Sequence, residues 1–349
     1  MFVDFRVTAN YAARLRGVRM QTLQRRTHYY ANTRLFEQSL DVYTPTGHAD
    51  VAELPLVVLV VGSAWLGHQP AIYLGTSWWN SSGPATVATL GSVCVCVRHR
   101  GAFPRPPPVM WIALLAAAMW LVWWVPVVLG ALWHILARGA ASHADMLDDV
   151  VTALQWVTVH RDELVASPQR APETRRLIFG GYSSGAHVAS SFLQRADLVD
   201  RALGPRATRS HDIDGVLLLS GVLGVRWGTP LPPPPASFMR FLPDVLVRAC
   251  FGGVAGAELP SPVHEASRTP TLPHLLIGCA HEVFNLPFIE RAMDVLFCSS
   301  TYADVLRERG VPVELQLVAS NHWSVLNSAV LSAALRSYLV DQKWPSKAS

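Results

Sequence analysis

Gly181-Tyr182-Ser183-Ser184-Gly185 stands directly after the short apolar run Arg176 to Phe179 and directly before a stretch with helical apolar spacing. A serine between such elements sits on a sharp strand-to-helix turn, with its hydroxyl above the sheet and the helix N–H groups behind it. Gly181 and Gly185, two positions either side, let the backbone close without Cβ clashes. A serine hydroxyl is a weak nucleophile until a base takes its proton. His322 is the candidate base, in the loop Ala319-Ser320-Asn321-His322-Trp323 between the last expected strand and the last expected helix. His187, four residues after Ser183, lies one turn along the same helix and reads as packing. The orienting carboxylate is expected between them in chain order, in Gly278-Cys279-Ala280-His281-Glu282-Val283-Phe284. There histidine occupies the place best suited to aspartate, and Glu282 follows with a longer arm. Glu282 reads equally well as a solvated loop residue, and Glu290 and Asp294 on the following stretch are weaker choices. Acyl transfer also needs N–H donors for a developing oxyanion, and the loop Gly62-Ser63-Ala64-Trp65 offers Ser63 and Ala64, with Ser184 as companion. Trp65 and Tyr182 flank these groups and are expected to contact substrate.

The elements that must hold these groups alternate. Leu40 to Tyr43 reads as a strand ended by Thr44-Pro45-Thr46-Gly47, and Leu56 to Val61 and Ser92 to Arg98 as buried strands. Asp145 to His160 carries Met146, Val150, Leu154 and Val157 on one stripe. Strands follow at Arg176 to Phe179, Gly215 to Ser220, His274 to Ile277 and Val313 to Val318. Helices are expected near Ser184, at Phe288 to Arg309 and at Ser324 to Val340. The expected fold is α/β, a mostly parallel central sheet with helices on both faces. Residues 1–37 read as a basic N-terminal extension and 38–342 as one domain, with an apolar insertion at 105–140 and a cap region, proline-rich at 230–235, within 221–270.

With these residues in place, the sequence resembles the α/β-hydrolase superfamily, and within it the isoprenylcysteine methylesterase and kynurenine formamidase branch. Leu40-Asp41-Val42-Tyr43-Thr44-Pro45 is similar to that branch's early strand, Gly62-Ser63-Ala64-Trp65 to its oxyanion loop, and Gly181 to His187 to its nucleophile elbow. Ser220-Gly221 and Phe251-Gly252-Gly253 through Ser261-Pro262 resemble its cap more loosely. The resemblance implies a serine carboxylesterase or amidase with Ser183, an acid and His322 as triad and no cofactor. The sequence departs from it at Val61, where many relatives have histidine, at Ser63, which replaces a glycine, and at the shifted acid Glu282.

Val109 to Trp133 runs 25 residues without a charge, with Trp111, Trp120, Trp123, Trp124 and Trp133 inside it and Arg105 and Arg138 flanking. As a helix, at about 1.5 Å per residue, it is long enough for a hydrocarbon core of about 30 Å. Its flanking elements belong to one sheet, and Pro126 offers a bend, so a re-entrant hairpin dipping into one leaflet is expected, or else an apolar cap helix on the soluble domain. The expected location is an endomembrane such as the endoplasmic reticulum with the catalytic domain facing the cytosol, and membrane lipid is an expected partner.

Half of the residues are hydrophobic and 15% are charged, which argues against disorder. A net charge of +4 without a basic face excludes nucleic acid as the expected partner. Five scattered cysteines make neither a disulfide framework nor a zinc module, His281-Glu282-Val283-Phe284-Asn285 lacks the second histidine of a zincin helix, and no P-loop is present. The expected substrate is a carboxylic ester of a lipid-like kind, with a prenylcysteine methyl ester as one example. The alternatives are a formamidase acting on a small aromatic amide and a non-catalytic scaffold of the same fold held at a membrane.

Overall fold

A computed structural model describes residues 23–45, 55–68, 82–102, 140–165, 176–205, 212–233, 247, 251, 259–282 and 295–341. The apolar insertion Val109 to Trp133, nearly half of the cap region, Glu290 and Asp294 lie outside these residues. Among the described residues no helix is long and apolar enough to cross a membrane.

The strands are β1 (Leu23–Tyr29), β2 (Ser39–Pro45), β3 (Leu56–Val60), β4 (Cys94–Val97), β5 (Leu177–Tyr182), β6 (Ile213–Leu219), β7 (His274–His281) and β8 (Val313–Asn321). They form one sheet in the order β1-β2-β4-β3-β5-β6-β7-β8. β1 and β2 pair antiparallel, as do β2 and β4, and every other neighbouring pair is parallel. The helices are α1 (82–89), α2 (His143–Val159), α3 (Arg161–Val165), α4 (Ser184–Leu193), α5 (Ala196–Leu203), α6 (Ser299–Glu308) and α7 (Ala329–Arg336).

The period-two alternation of strand side chains divides the core between two faces. Leu56, Val58 and Val60 of β3 join Val95 and Val97 of β4 against Met146, Val150 and Leu154 of α2 and Val188 and Phe192 of α4. The alternate residues Val57, Leu59, Cys94 and Cys96 pack with Ala85 and Ala88 of α1 and Leu331 and Leu335 of α7. Cys94 and Cys96 are therefore buried core residues. At the antiparallel end, Asp41 of β2 lies under a bidentate clamp from Arg98, at 2.7 and 3.0 Å, and also meets Arg25 of β1 at 2.7 Å.

Three expectations change here. Residues 23–29, read as part of an extension, form the edge strand β1 in full register with β2. Its sequence, Leu-Gln-Arg-Arg-Thr-His-Tyr, is polar and only Leu23 is buried, so it has no apolar run to announce it. The helix expected over 288–309 is confined in the described residues to α6; residues 295–298 before it are not helical, and Val295, Leu296 and Cys298 are buried in the core. The helix expected over 324–340 is three pieces, a 3₁₀ turn at Ser324–Asn327, α7 and a π turn at Ser337–Asp341. Ser328 breaks the first from the second by accepting Leu331 N–H as an N-cap.

Candidate active site

Five consecutive parallel strands, β3, β5, β6, β7 and β8, bring their C-terminal ends together along one edge, where parallel α/β sheets place ligands. The ladder carries on past the strand ends. Ser183 N–H donates to Leu219 O at 3.0 Å, Ser220 N–H to Ile277 O at 2.6 Å and His322 N–H to Glu282 O at 2.7 Å. Each residue that follows a strand is thereby fixed relative to the next strand in the sheet.

Ser183 closes β5 and opens α4 with φ 57° and ψ −128°, a conformation that costs a non-glycine residue about 1–3 kcal/mol. The turn is possible because a Cβ on Gly181 would lie 2.4 Å from Gly185 O, and one on Gly185 2.2 Å from Val60 O. Ser183 is partly exposed, and its Oγ lies 2.9 Å from His322 Nε2.

His322 follows β8, where the pairing with β7 shifts register between Cys279 and His281 by one residue. Such a bulge re-aims the side chains beyond it. Asn321 then folds the chain back, its Oδ1 accepting Trp323 N–H at 3.1 Å and Ser324 N–H at 2.9 Å. The imidazole stacks on the Tyr182 ring at 5.0 Å and meets Phe297 edge-on at 5.1 Å. Tyr182 also donates its hydroxyl to His322 O at 2.8 Å.

Glu282 is buried rather than solvated, with Oε2 3.2 Å from His322 Nδ1 and Oε1 accepting Cys279 N–H at 2.9 Å. Ser220, at the end of β6, adds a group that sequence reading missed. Its buried hydroxyl lies 2.8 Å from His322 Nδ1 and is hydrogen-bonded to Glu282 Oε2. The only sign in the sequence was a serine at the C-terminal end of the strand between the elbow strand and the acid strand.

The oxyanion loop differs from expectation. Ala64 and Trp65 both have positive φ, 49° and 58°. Ser63 N–H, expected to serve an oxyanion, donates instead to Ser184 Oγ at 2.9 Å, and Trp65 N–H shares that acceptor at 3.2 Å. The Ser184 hydroxyl thus pins the loop, Ala64 stands exposed at its tip, and Ser184 N–H opens α4. Trp65 and Tyr182, expected against substrate, do not line an open surface. Trp65 is fully buried, donating its indole N–H to His187 Nδ1 at 3.2 Å, and Tyr182 is spent on His322. His187 passes the tie on, donating Nε2–H to Pro260 O at 2.7 Å; burial, only partly opposed by this hydrogen bond, lowers its pKa to about 4 and keeps the ring neutral.

A cavity of about 540 Å³ is lined by His143, Ser191, Arg195, Arg226, His264 and Arg268 among others, and by Pro260, the acceptor of His187, but not by Ser183, Ser220, Glu282 or His322. Among the described residues no cluster of His, Cys, Asp or Glu is arranged to hold a metal ion.

No family model and no curated protein matches the sequence. Solved structures do match the fold. A truncated carbohydrate esterase from gut microbiota superposes with a TM-score of 0.57 at 15% identity, covering 92% of this chain and 96% of its own. The fold is of the α/β-hydrolase kind. Esterase B from Lactobacillus rhamnosis, inhibited, gives 0.56 at 14% identity over 96% of this chain and 93% of its own. Esterase 2 of Thermogutta terrifontis, phosphonylated by sarin, gives 0.56 at 16% identity over 90% and 94%. The expected placement within the isoprenylcysteine methylesterase and kynurenine formamidase branch is not among these likenesses.

Proposed function

We propose that the chain is a serine hydrolase of carboxylic esters. The observation that carries this reading is the 2.9 Å approach of His322 Nε2 to the Oγ of a serine held at φ 57° above the sheet edge. The three structural neighbours above are named esterases, one of them phosphonylated, and they support the same chemistry. Ser183 Oγ bonds to the ester carbonyl carbon as its proton passes to His322 Nε2, and the carbonyl π pair moves onto oxygen. Ser184 N–H, with the loop tip at Ala64, faces that developing charge. The oxyanion then collapses, the bond to the alcohol oxygen breaks, and the Nε2 proton goes to the departing oxygen. Water repeats the sequence on the acyl-enzyme, returning the proton to Ser183 and releasing the acid. The Glu282 carboxylate stabilises the imidazolium formed in each half.

A fluorophosphonate probe and p-nitrophenyl butyrate test this. Wild type is expected to be labelled and to turn over, and Ser183→Ala and His322→Ala to do neither. A folded wild type that takes no label and hydrolyses no ester would leave a scaffold of the same fold as the better reading.

The substrate reading is a lipid-like ester, with a prenylcysteine methyl ester as one member of the class. It is supported by where residues 103–139 begin and end. Ala102 N–H donates to Trp65 O at 2.8 Å, beside the oxyanion loop, and Ala141 N–H donates to Gly101 O at 3.0 Å. Both ends therefore leave the domain at one point, and a chain that leaves and returns together favours a hairpin in one leaflet over a single crossing. The reading places the protein on an endomembrane with this domain on the cytosolic side. Alkaline carbonate extraction tests it: wild type is expected in the pellet and a deletion of 106–138 in the supernatant. Release of intact wild type would refute integral insertion, and a preference for small soluble amides would favour a formamidase.

A further inference from the structure

We propose that Ser220 is a positioning residue that dictates which nitrogen of His322 carries the proton. The inference rests on the serine-hydrolase reading of the site and assigns it a fourth group. A serine hydroxyl has one proton and two lone pairs, whereas an ionised carboxylate only accepts. Ser220 Oγ touches both Glu282 Oε2 and His322 Nδ1, so its single proton belongs on the carboxylate side. Oγ then offers Nδ1 nothing but a lone pair, and Nδ1 must hold its proton to meet it. Nε2 is left unprotonated, facing Ser183 Oγ at 2.9 Å as a base must.

The distances favour this route over a direct contact. Nδ1 lies 2.8 Å from the Ser220 hydroxyl and 3.2 Å from Glu282 Oε2, so the hydroxyl is the nearer acceptor. The carboxylate cannot swing to close the gap while Cys279 N–H holds Oε1 at 2.9 Å. The Cys279 thiol, 3.5 Å from Ser220 Oγ, brings no competing charge, because burial keeps it protonated. Ser220 is also held at φ 42° while fully buried, a backbone position that glycine would occupy at less cost. No bond to Ser220 forms or breaks in turnover, and full burial keeps it from acting as a second nucleophile.

Ser220→Gly removes the hydroxyl and relieves the backbone at once, and Ser220→Ala removes the hydroxyl alone. With p-nitrophenyl butyrate, both variants are expected to lose about tenfold or more in kcat, with KM held within about twofold, as for loss of the correct tautomer. The far-downfield proton resonance of His322 Nδ1–H is expected to shift or vanish in both. A Ser220→Gly variant with wild-type kcat and an unmoved resonance would overturn the proposal. If wild type hydrolyses no ester, the serine-hydrolase reading fails, and the resonance alone then decides the tautomer: unmoved in Ser220→Gly, it overturns the inference.

Discussion

Ser183, Ala64, Trp65 and Ser220 all adopt positive φ without being glycine, and all four lie at the loops that follow β3, β5 and β6. Backbone strain of about 1–3 kcal/mol at each persists only where neighbours over-determine it. Ser183 and Ser220 are held by backbone bonds to the neighbouring strands, whereas the loop carrying Ala64 and Trp65 hangs on one side-chain atom, Ser184 Oγ, so a single substitution there should be informative. Ser184→Ala removes the acceptor of two loop N–H groups and leaves Ser183 untouched. It is expected to lower kcat about tenfold through a misplaced oxyanion loop, while the labelled fraction at long times stays complete; the labelling rate with a fluorophosphonate measures this. Glu282→Gln keeps the shape of the acid but allows the wrong His322 tautomer, and kcat on p-nitrophenyl butyrate is expected to fall by about a hundredfold or more. Ser183 and His322 were legible because their chemistry is tied to chain order. Ser220 was not, since its role arises from two strands that are neighbours only in space.

Among the elements, the central parallel strands β3, β4 and β6 were legible as apolar runs, for a strand covered on both faces is apolar throughout. The antiparallel edge was less so, because β1 is polar and its contribution is ionic. Burial alone would raise the Asp41 pKa, but the hydrogen bonds and charges of Arg98, with that of Arg25, outweigh it and hold the carboxyl below its usual range. The pair is fully buried. Arg98→Met is expected to cost about 3–5 kcal/mol in urea unfolding, since Asp41 is left buried with a single cation from an edge strand. Replacing Asp41 and Arg98 together with apolar residues should recover much of that loss.

For the whole molecule, the buried histidines set the response to acid. Burial pulls His187 and His274 down from 6.5 to about 4, only partly opposed by hydrogen bonds to backbone carbonyls, and takes His68 and His143 well below their usual value. These rings stay neutral in the folded protein while the unfolded chain takes up protons. The stability they allow is complete above pH 6.5 and drains away as pH falls towards 4. At about 1.4 kcal/mol per unit, a ring shifted this far accounts for about 3 kcal/mol at the bottom of the window. Urea midpoints are expected to drop steeply across that range, and a flat profile down to pH 4 would refute the neutral buried rings.

The sequence by itself determined the alternation of strands and helices and the tight turn at Ser183 between a strand and a helix, because apolar periodicity and turn chemistry act over a few neighbouring residues. Only the tertiary structure decided that Glu282 is buried against His322, that Ser220 stands between them, and that Trp65 and Tyr182 face inwards. Those outcomes depend on strand order, on a one-residue bulge and on the direction of each side chain, which packing sets after distant segments have met.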